Sequence, residues 1–177
     1  MILGMSTATF TFLHVLVSLV GIFSGFIVVL GLIAGKHLHR WTALFLVSTV
    51  LTSLSGFLFP FKGITPGIVL GILSLVVLLF AALARYAGNL AGAWRGTYVV
   101  STHLALYFNF FVFIAQAFQK VPALKALAPT QSELPFKLTQ LIVLAAFVVL
   151  SVLAFKRFRG AERMRFDSWH NRSTNAD

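Results

Sequence analysis

The sequence predicts an all-α integral membrane bundle of five transmembrane helices, with its amino terminus outside and its carboxyl terminus cytoplasmic. Three observations predict it. Of the 177 residues, 59% are hydrophobic and 10% charged, against roughly 45–50% and about 25% in a soluble domain. The apolar residues form five continuous runs, near 10–33, 41–59, 64–84, 98–118 and 138–155. Each is close to the roughly 20 helical residues that cross about 30 Å of hydrocarbon, and none shows the short alternating pattern of a membrane β-barrel. Finally, the basic residues between the runs are distributed unequally. Ten of the fourteen Lys and Arg fall on one side, namely Lys36, Arg40, Arg85, Arg95 and the six of the tail, and four on the other, Lys62, Lys120, Lys125 and Lys137. The positive-inside rule makes the richer side cytoplasmic.

The first run has no basic residue ahead of it and exceeds the apolar stretch of a signal peptide, so it reads as a retained helix. Gly35 and Lys36 close it. The second run stops at Pro60, and the third starts near Pro66, where a missing N–H is harmless. Trp41, Tyr86, Trp94 and Tyr98 fall at run ends, where amphipathic rings prefer to sit. Between the fourth and fifth runs, Val121, Leu124 and Leu127 stand at helical spacing between proline breaks, which predicts a short interfacial helix and then an ordered turn at 129–135. Residues 1–155 form the transmembrane domain and 156–177 a basic cytoplasmic tail, whose part after Gly160 is polar, lacks periodicity and is expected to be mobile.

The formal charge of +10 is explained by topology and by anionic lipid at the tail; no aromatic platform accompanies it, so nucleic acid is not an expected partner. The absence of cysteine excludes disulfides and thiolate chemistry. No run carries an acid or base near its centre, which argues against a carboxylate-driven pump. There is no GxSxG or HExxH motif and no paired carboxylate, so no catalytic residue is named.

The polar residues within the runs are the remaining resource. His14, Ser18, Gly21 and Gly25 share one face of the first helix; Ser48, Thr52 and Ser55 share one of the second. Gly21-x-x-x-Gly25, Gly31-x-x-x-Gly35 and Gly67-x-x-x-Gly71 allow close helix packing, within the chain or in a homodimer. Thr102, Asn109 and Gln116 stack at intervals of seven, and His103 and Tyr107 form an i, i+4 pair. His14, Ser55, Gln116 and Gln140 lie at similar depth in the outer half. With Gln119 and Glu133 of the outer loop they form the candidate site for a ligand or partner. On the cytoplasmic side, His39 and His103 are the candidates for haem b or quinone.

The segment LYFNFFVFIAQAFQKVPALKALAPTQSELPF, 106–136, and the segment TSLSGFLFPF, 52–61, resemble a family of small bacterial multi-spanning inner-membrane proteins without an assigned activity. With the five runs, the resemblance covers most of 10–155. It implies that Gln116, Gln119, Pro129, Thr130, Gln131, Glu133 and Pro135 belong to one structural feature on the outer face. HRWTALFLVSTVLTSLSG, 39–56, more faintly resembles the helix starts of cytochrome b561-type proteins, which implies histidines paired on bundle helices around haem.

The expectation is a non-catalytic membrane subunit or helper in the bacterial inner membrane, with a functional outer loop and another membrane protein or a second copy as partner. A small redox protein using His39 and His103 is the alternative, and a passive permease for an uncharged solute the second.

Overall fold

A computed structural model describes residues 2–60, 63 and 65–174, with side chains as far as Phe158. Lys62, Ile64 and the tail arginines Arg159, Arg163, Arg165 and Arg172 fall outside the described side chains. The fold is all-helical: α1 (Thr7–Ile33), α2 (His39–Gly56), α3 (Pro66–Ala82), α4 (Ala93–Lys120), α5 (Pro122–Leu127) and α6 (Leu134–Thr174). Four segments are long and apolar enough to cross a membrane: Thr7–Ile33, Pro66–Ala87, Ala93–Lys120 and Leu134–Phe158.

Local chemistry sets the boundaries. Ser6 caps α1 by accepting from the Thr9 amide at 3.1 Å, and Thr65 caps α3 from Ile68, with Pro66 in the first turn. At the end of α1, Gly35 adopts φ +67, while the amides of Gly35 and Lys36 return to Leu32 and Gly31 at 3.1 and 2.8 Å. That pair of bonds is a Schellman ending, which needs a left-handed residue at this place.

The exterior is the reverse of a soluble protein. Phe12, Leu30, Val47, Leu141 and Ile142 are among the most exposed side chains, while Ser24, Thr42, Thr49, Thr102 and Asn109 are buried. Apolar surface outward and hydroxyls inward suits a hydrocarbon solvent, in which side chains that hydrogen-bond gain by facing each other. The helices form a ring in which α1 touches α2 and α6, α4 touches α3 and α6, α2 touches α3, and α1 also reaches α4 across the middle.

α1 and α2 run antiparallel in constant register, with Leu38 against Gly31, Phe45 against Gly25, Ser48 and Thr49 against Gly21, and Ser55 against His14. A side chain at Gly25 would put its Cβ 2.6 Å from Leu106 Cδ1 and 2.9 Å from the Phe45 ring. The glycines of the first helix are therefore covered within the chain. Gly71 meets Phe57 at 3.0 Å, whereas Gly67 has nothing closer than Thr65 Oγ1 at 3.8 Å.

Several boundaries differ from the sequence expectation. α2 begins two residues earlier than 41 and ends at Gly56, because Phe57–Phe59 turn away ahead of Pro60. α4 begins at Ala93 and not at 98. The third helix continues past Ala84 through a π-helical turn, Leu83–Ala87, so that Arg85 belongs to the helix and not to a loop. The tail, expected to be mobile, continues α6 to Thr174; its Ala, Glu, Arg and Met residues favour helix.

The glycine packing makes a testable distinction. Gly25→Ala should destabilise the protein by about 1–3 kcal/mol through overpacking, whereas Gly67→Ala should stay within about 0.5 kcal/mol. Reversible unfolding of the detergent-purified variants measures both, and equal behaviour would refute the α1–α2–α4 register.

Candidate functional site

Polar side chains gather at three levels of the bundle. At the end bearing α5, the loop end, His14 Nδ1 lies 2.8 Å from Ser55 Oγ. Ser55 sends its own proton to the Thr52 carbonyl at 3.1 Å, so it accepts from the imidazole. Phe59 meets the His14 ring edge-on, at 5.3 Å between centroids. Gln116 does not join this pair, because it faces outward from α4. Gln140 is buried between α6 and α4, where its Nε2 donates to the Phe111 carbonyl at 3.2 Å and its Oε1 has no partner. Of the four residues expected to cluster, only His14 and Ser55 come together.

The loop after α5 is stitched from within. Gln131, at φ +60, donates to the Ala115 carbonyl at 2.6 Å and receives a bond from Gln119 at 3.4 Å. Glu133 accepts from the Thr130 amide and hydroxyl at 3.1 and 2.8 Å and from the Ser132 amide at 3.1 Å. Desolvation pushes this carboxyl up, but the bonds from the Thr130 hydroxyl and the backbone amides together outweigh it, and Glu133 titrates below the usual glutamate range. Gln119 and Glu133 thus help to hold the turn in shape, Glu133 by three bonds and the exposed Gln119 by one long one.

At mid-bundle, α1, α2 and α4 converge on Gly21. Ser18 Oγ donates to Asn109 Oδ1 at 2.9 Å. A Cβ on Gly21 would stand 3.1 Å from both Asn109 Nδ2 and Thr49 Oγ1, and 3.2 Å from Ser48 Oγ. Along α2, Ser48, Thr52 and Ser53 each bond back to a carbonyl four residues earlier, at 2.6, 2.9 and 3.0 Å. Thr49 does not. Its Oγ1 and Asn109 Nδ2 are both buried without a hydrogen-bond partner, a state that costs about 1–3 kcal/mol for each group left dry. Two unpaired polar atoms therefore close on the α1 backbone at Gly21, an approach that the missing side chain allows.

At the opposite, basic end, Arg85 is 8% exposed. Its Nη2 lies 2.8 Å from His39 Nδ1, and its guanidinium packs 5.6 Å from the Tyr98 ring centroid and 5.8 Å from that of Tyr86. Arginine only donates, so His39 accepts through Nδ1 and carries its proton on Nε2. Tyr98 Oη also bonds Thr42 Oγ1 at 3.2 Å, which ties α4 to α2.

His39 and His103 stand at different depths. His103 Nδ1 donates to the Val99 carbonyl at 2.7 Å. With Thr49 and Asn109 level at Gly21, residue 39 lies level with residue 99, and His103 stands about 6 Å deeper at 1.5 Å per residue. His39 is also committed to Arg85. No group of three or more metal-ligating side chains forms among the described residues.

Sequence reasoning named the polar residues of the spans but missed two pairings. Asn109 was stacked with Gln116 on one stripe, although the first is buried and the second exposed. Arg85 entered only as a topological charge. The apolar run preceding it, continued as LARYAG, carried the signal that the helix had not ended. No family model, curated protein or solved structure matches the chain.

The Glu133 turn sets a pH dependence. Its folded-state pKa is depressed, so its contribution is complete above the ordinary value of 4.5 and is lost as pH falls through the lower folded value. NMR-detected protection of the Thr130 and Ser132 amides should therefore decline only below about pH 4.5 and be absent at every pH in Glu133→Ala. Equal protection in the variant would remove the carboxylate from the turn.

Proposed function

We propose that the protein is a non-catalytic membrane component that holds the carbonyl of an uncharged, hydrophobic ligand of the quinone class at Gly21. It spans a bacterial cytoplasmic membrane five times, with the amino terminus outside and the basic tail inside. The single observation behind the ligand is the pair of unpaired polar atoms at Gly21, which a ligand oxygen would reach by displacing side chains that now pack there. Asn109 Nδ2 can only donate and the Thr49 hydroxyl is free to donate, so together they suit one acceptor oxygen. No charged side chain lies among the residues around Gly21, which favours a neutral group. A lipid-soluble ligand reaches a mid-bundle site from the hydrocarbon without crossing water.

The register supports the fifth crossing. α2 lies beside α1 from Leu38 opposite Gly31 to Ser55 opposite His14, so whatever α1 crosses, α2 crosses with it. Its exposed positions, including Leu44, Val47, Leu51 and Leu54, are apolar, although its ends and buried hydroxyls make it less hydrophobic than the other four. Orientation rests on the ten-to-four distribution of basic residues. The loop end contributes apolar contact surface at Val121, Leu127 and Leu134, all exposed, and serves as the face toward headgroups or a partner.

Titration of the detergent-purified protein with decylubiquinone tests the site. Thr49→Val and Asn109→Leu should each weaken binding at least tenfold, about 1.4 kcal/mol. The melting temperature of Thr49→Val should hold or rise, because it removes only an unpaired buried group, whereas that of Asn109→Leu should fall modestly, because Ser18 loses its acceptor. Equal binding by wild type and both variants, or none by wild type, would reduce the pair to packing.

The crossing number has a separate test. The chain has no cysteine, so single cysteines at Lys36 and Gly63 can be labelled in intact cells with a membrane-impermeant maleimide. Only the Gly63 variant should react; reaction of both would return α2 to one side of the membrane.

A further inference from the structure

We infer that Arg85 is the core of a binding site for one phosphate oxyanion, supplied by an anionic lipid headgroup, at the basic end of the bundle. The site lies away from Gly21 and does not depend on the ligand proposed there; it rests on the membrane-spanning reading alone. A guanidinium this deeply buried ordinarily has a carboxylate partner, because an uncompensated buried charge is costly. Arg85 has none among the described residues. The only acid whose side chain is described, Glu133, is occupied by the turn ahead of α6, at the opposite end of α4. The partners that Arg85 does have are a neutral imidazole and two ring faces. These orient a cation without neutralising it.

Its remaining guanidinium donors bond to nothing among the described residues and are not sealed in, since the side chain keeps 8% exposure. Arginine presents these donors as a rigid planar fork that matches two oxygens of a phosphate. Both sides of the fork are held. The π-helical turn Leu83–Ala87 places Arg85 under Tyr98, and the following connection, with Asn89 and Leu90 at φ +46 and +57, is pinned by the Trp94 ring packed against Gly88. π-turns and left-handed non-glycine residues are strained features that recur at functional positions.

Tyr86 and Trp94 are exposed beside the site, the arrangement expected of rings at the headgroup level. That location favours a lipid phosphate over a soluble one. Exposed Arg40, next to His39, adds positive potential at the approach.

Native mass spectrometry of the full chain, released from detergent after incubation with phosphatidylglycerol or phosphatidylcholine, tests this. Wild type should retain one phosphatidylglycerol per chain, at least tenfold over phosphatidylcholine. Arg85→Gln should reduce retention at least fivefold, and Arg85→Lys, which keeps the charge but not the fork, should fall between. A tail variant, Arg163→Gln with Arg165→Gln, should retain the lipid like wild type. Phosphatidylglycerol should raise the melting temperature of wild type and of Arg85→Lys, but not that of Arg85→Gln. This separates loss of the site from loss of the fold. Displacement of the adduct by millimolar inorganic phosphate would assign the same oxyanion site to a soluble source. Retention by Arg85→Gln equal to wild type, or loss in the tail variant alone, would overturn the proposal.

Discussion

Close approach of α1 to its neighbours at Gly21, Gly25 and Gly31 is the constraint on which the rest of the molecule depends. Without side chains at these positions, Phe45 and Leu106 reach the α1 backbone at Gly25 and Leu38 reaches it at Gly31. α2 is then locked along α1 in one register. That register brings Ser55 to His14, and at mid-bundle it brings Thr49 to Asn109. In hydrocarbon the hydrophobic effect between helices is absent, and shape and polar pairing decide association instead. A one-residue slip of α2 would rotate its hydroxyl face by about 100° toward lipid, so the polar seam and the glycine contacts enforce the same arrangement.

Much of this was legible in the sequence, for reasons of solvent. The long apolar runs can only be membrane-scale helices, and Gly35, Pro60 and Pro66 marked ends that the structure places within a few residues. The short helix at Pro122–Leu127 followed from spacing and prolines. What could not be read was which polar residues meet. Helical spacing assigns residues to a face of their own helix, and says nothing about which neighbour covers that face. Gln116 and Asn109 share a stripe, yet only Asn109 lies where α1 crosses α4. Gln140 and His14 share a depth, yet they sit in different helix interfaces. The end of the third helix was misplaced because the π-turn at Leu83–Ala87 keeps the chain helical through Arg85, a charge that reads as the end of an apolar run.

The two inner polar sites differ in a way that pairing energetics make intelligible. At Gly21 every group is neutral, so two polar atoms left unpaired cost a few kcal/mol at most, which the bundle tolerates. At Arg85 the group carries a fixed charge, which cannot be removed by deprotonation, so it must be solvated or matched at all times. Placing the neutral site at the centre and the charged one at the membrane end follows the depth dependence of desolvation. The reverse arrangement would not be stable.

The scarcity of acids sharpens this point. Four Asp and Glu face fourteen Lys and Arg along the chain, and Glu133 is engaged with Thr130 and Ser132. Most of the positive charge must therefore find its counter-charge outside the protein. For exposed lysines and arginines, salt or the diffuse layer of anionic lipid is enough. Arg85 is different, because its burial excludes the diffuse layer and the rings of Tyr98 and Tyr86 fix its plane. A charge that is held rigid and meets no acid among the described residues calls for a single, geometrically matched anion. The fold that positions the seam at Gly21 thus also creates a demand for one specific anion at its basic end.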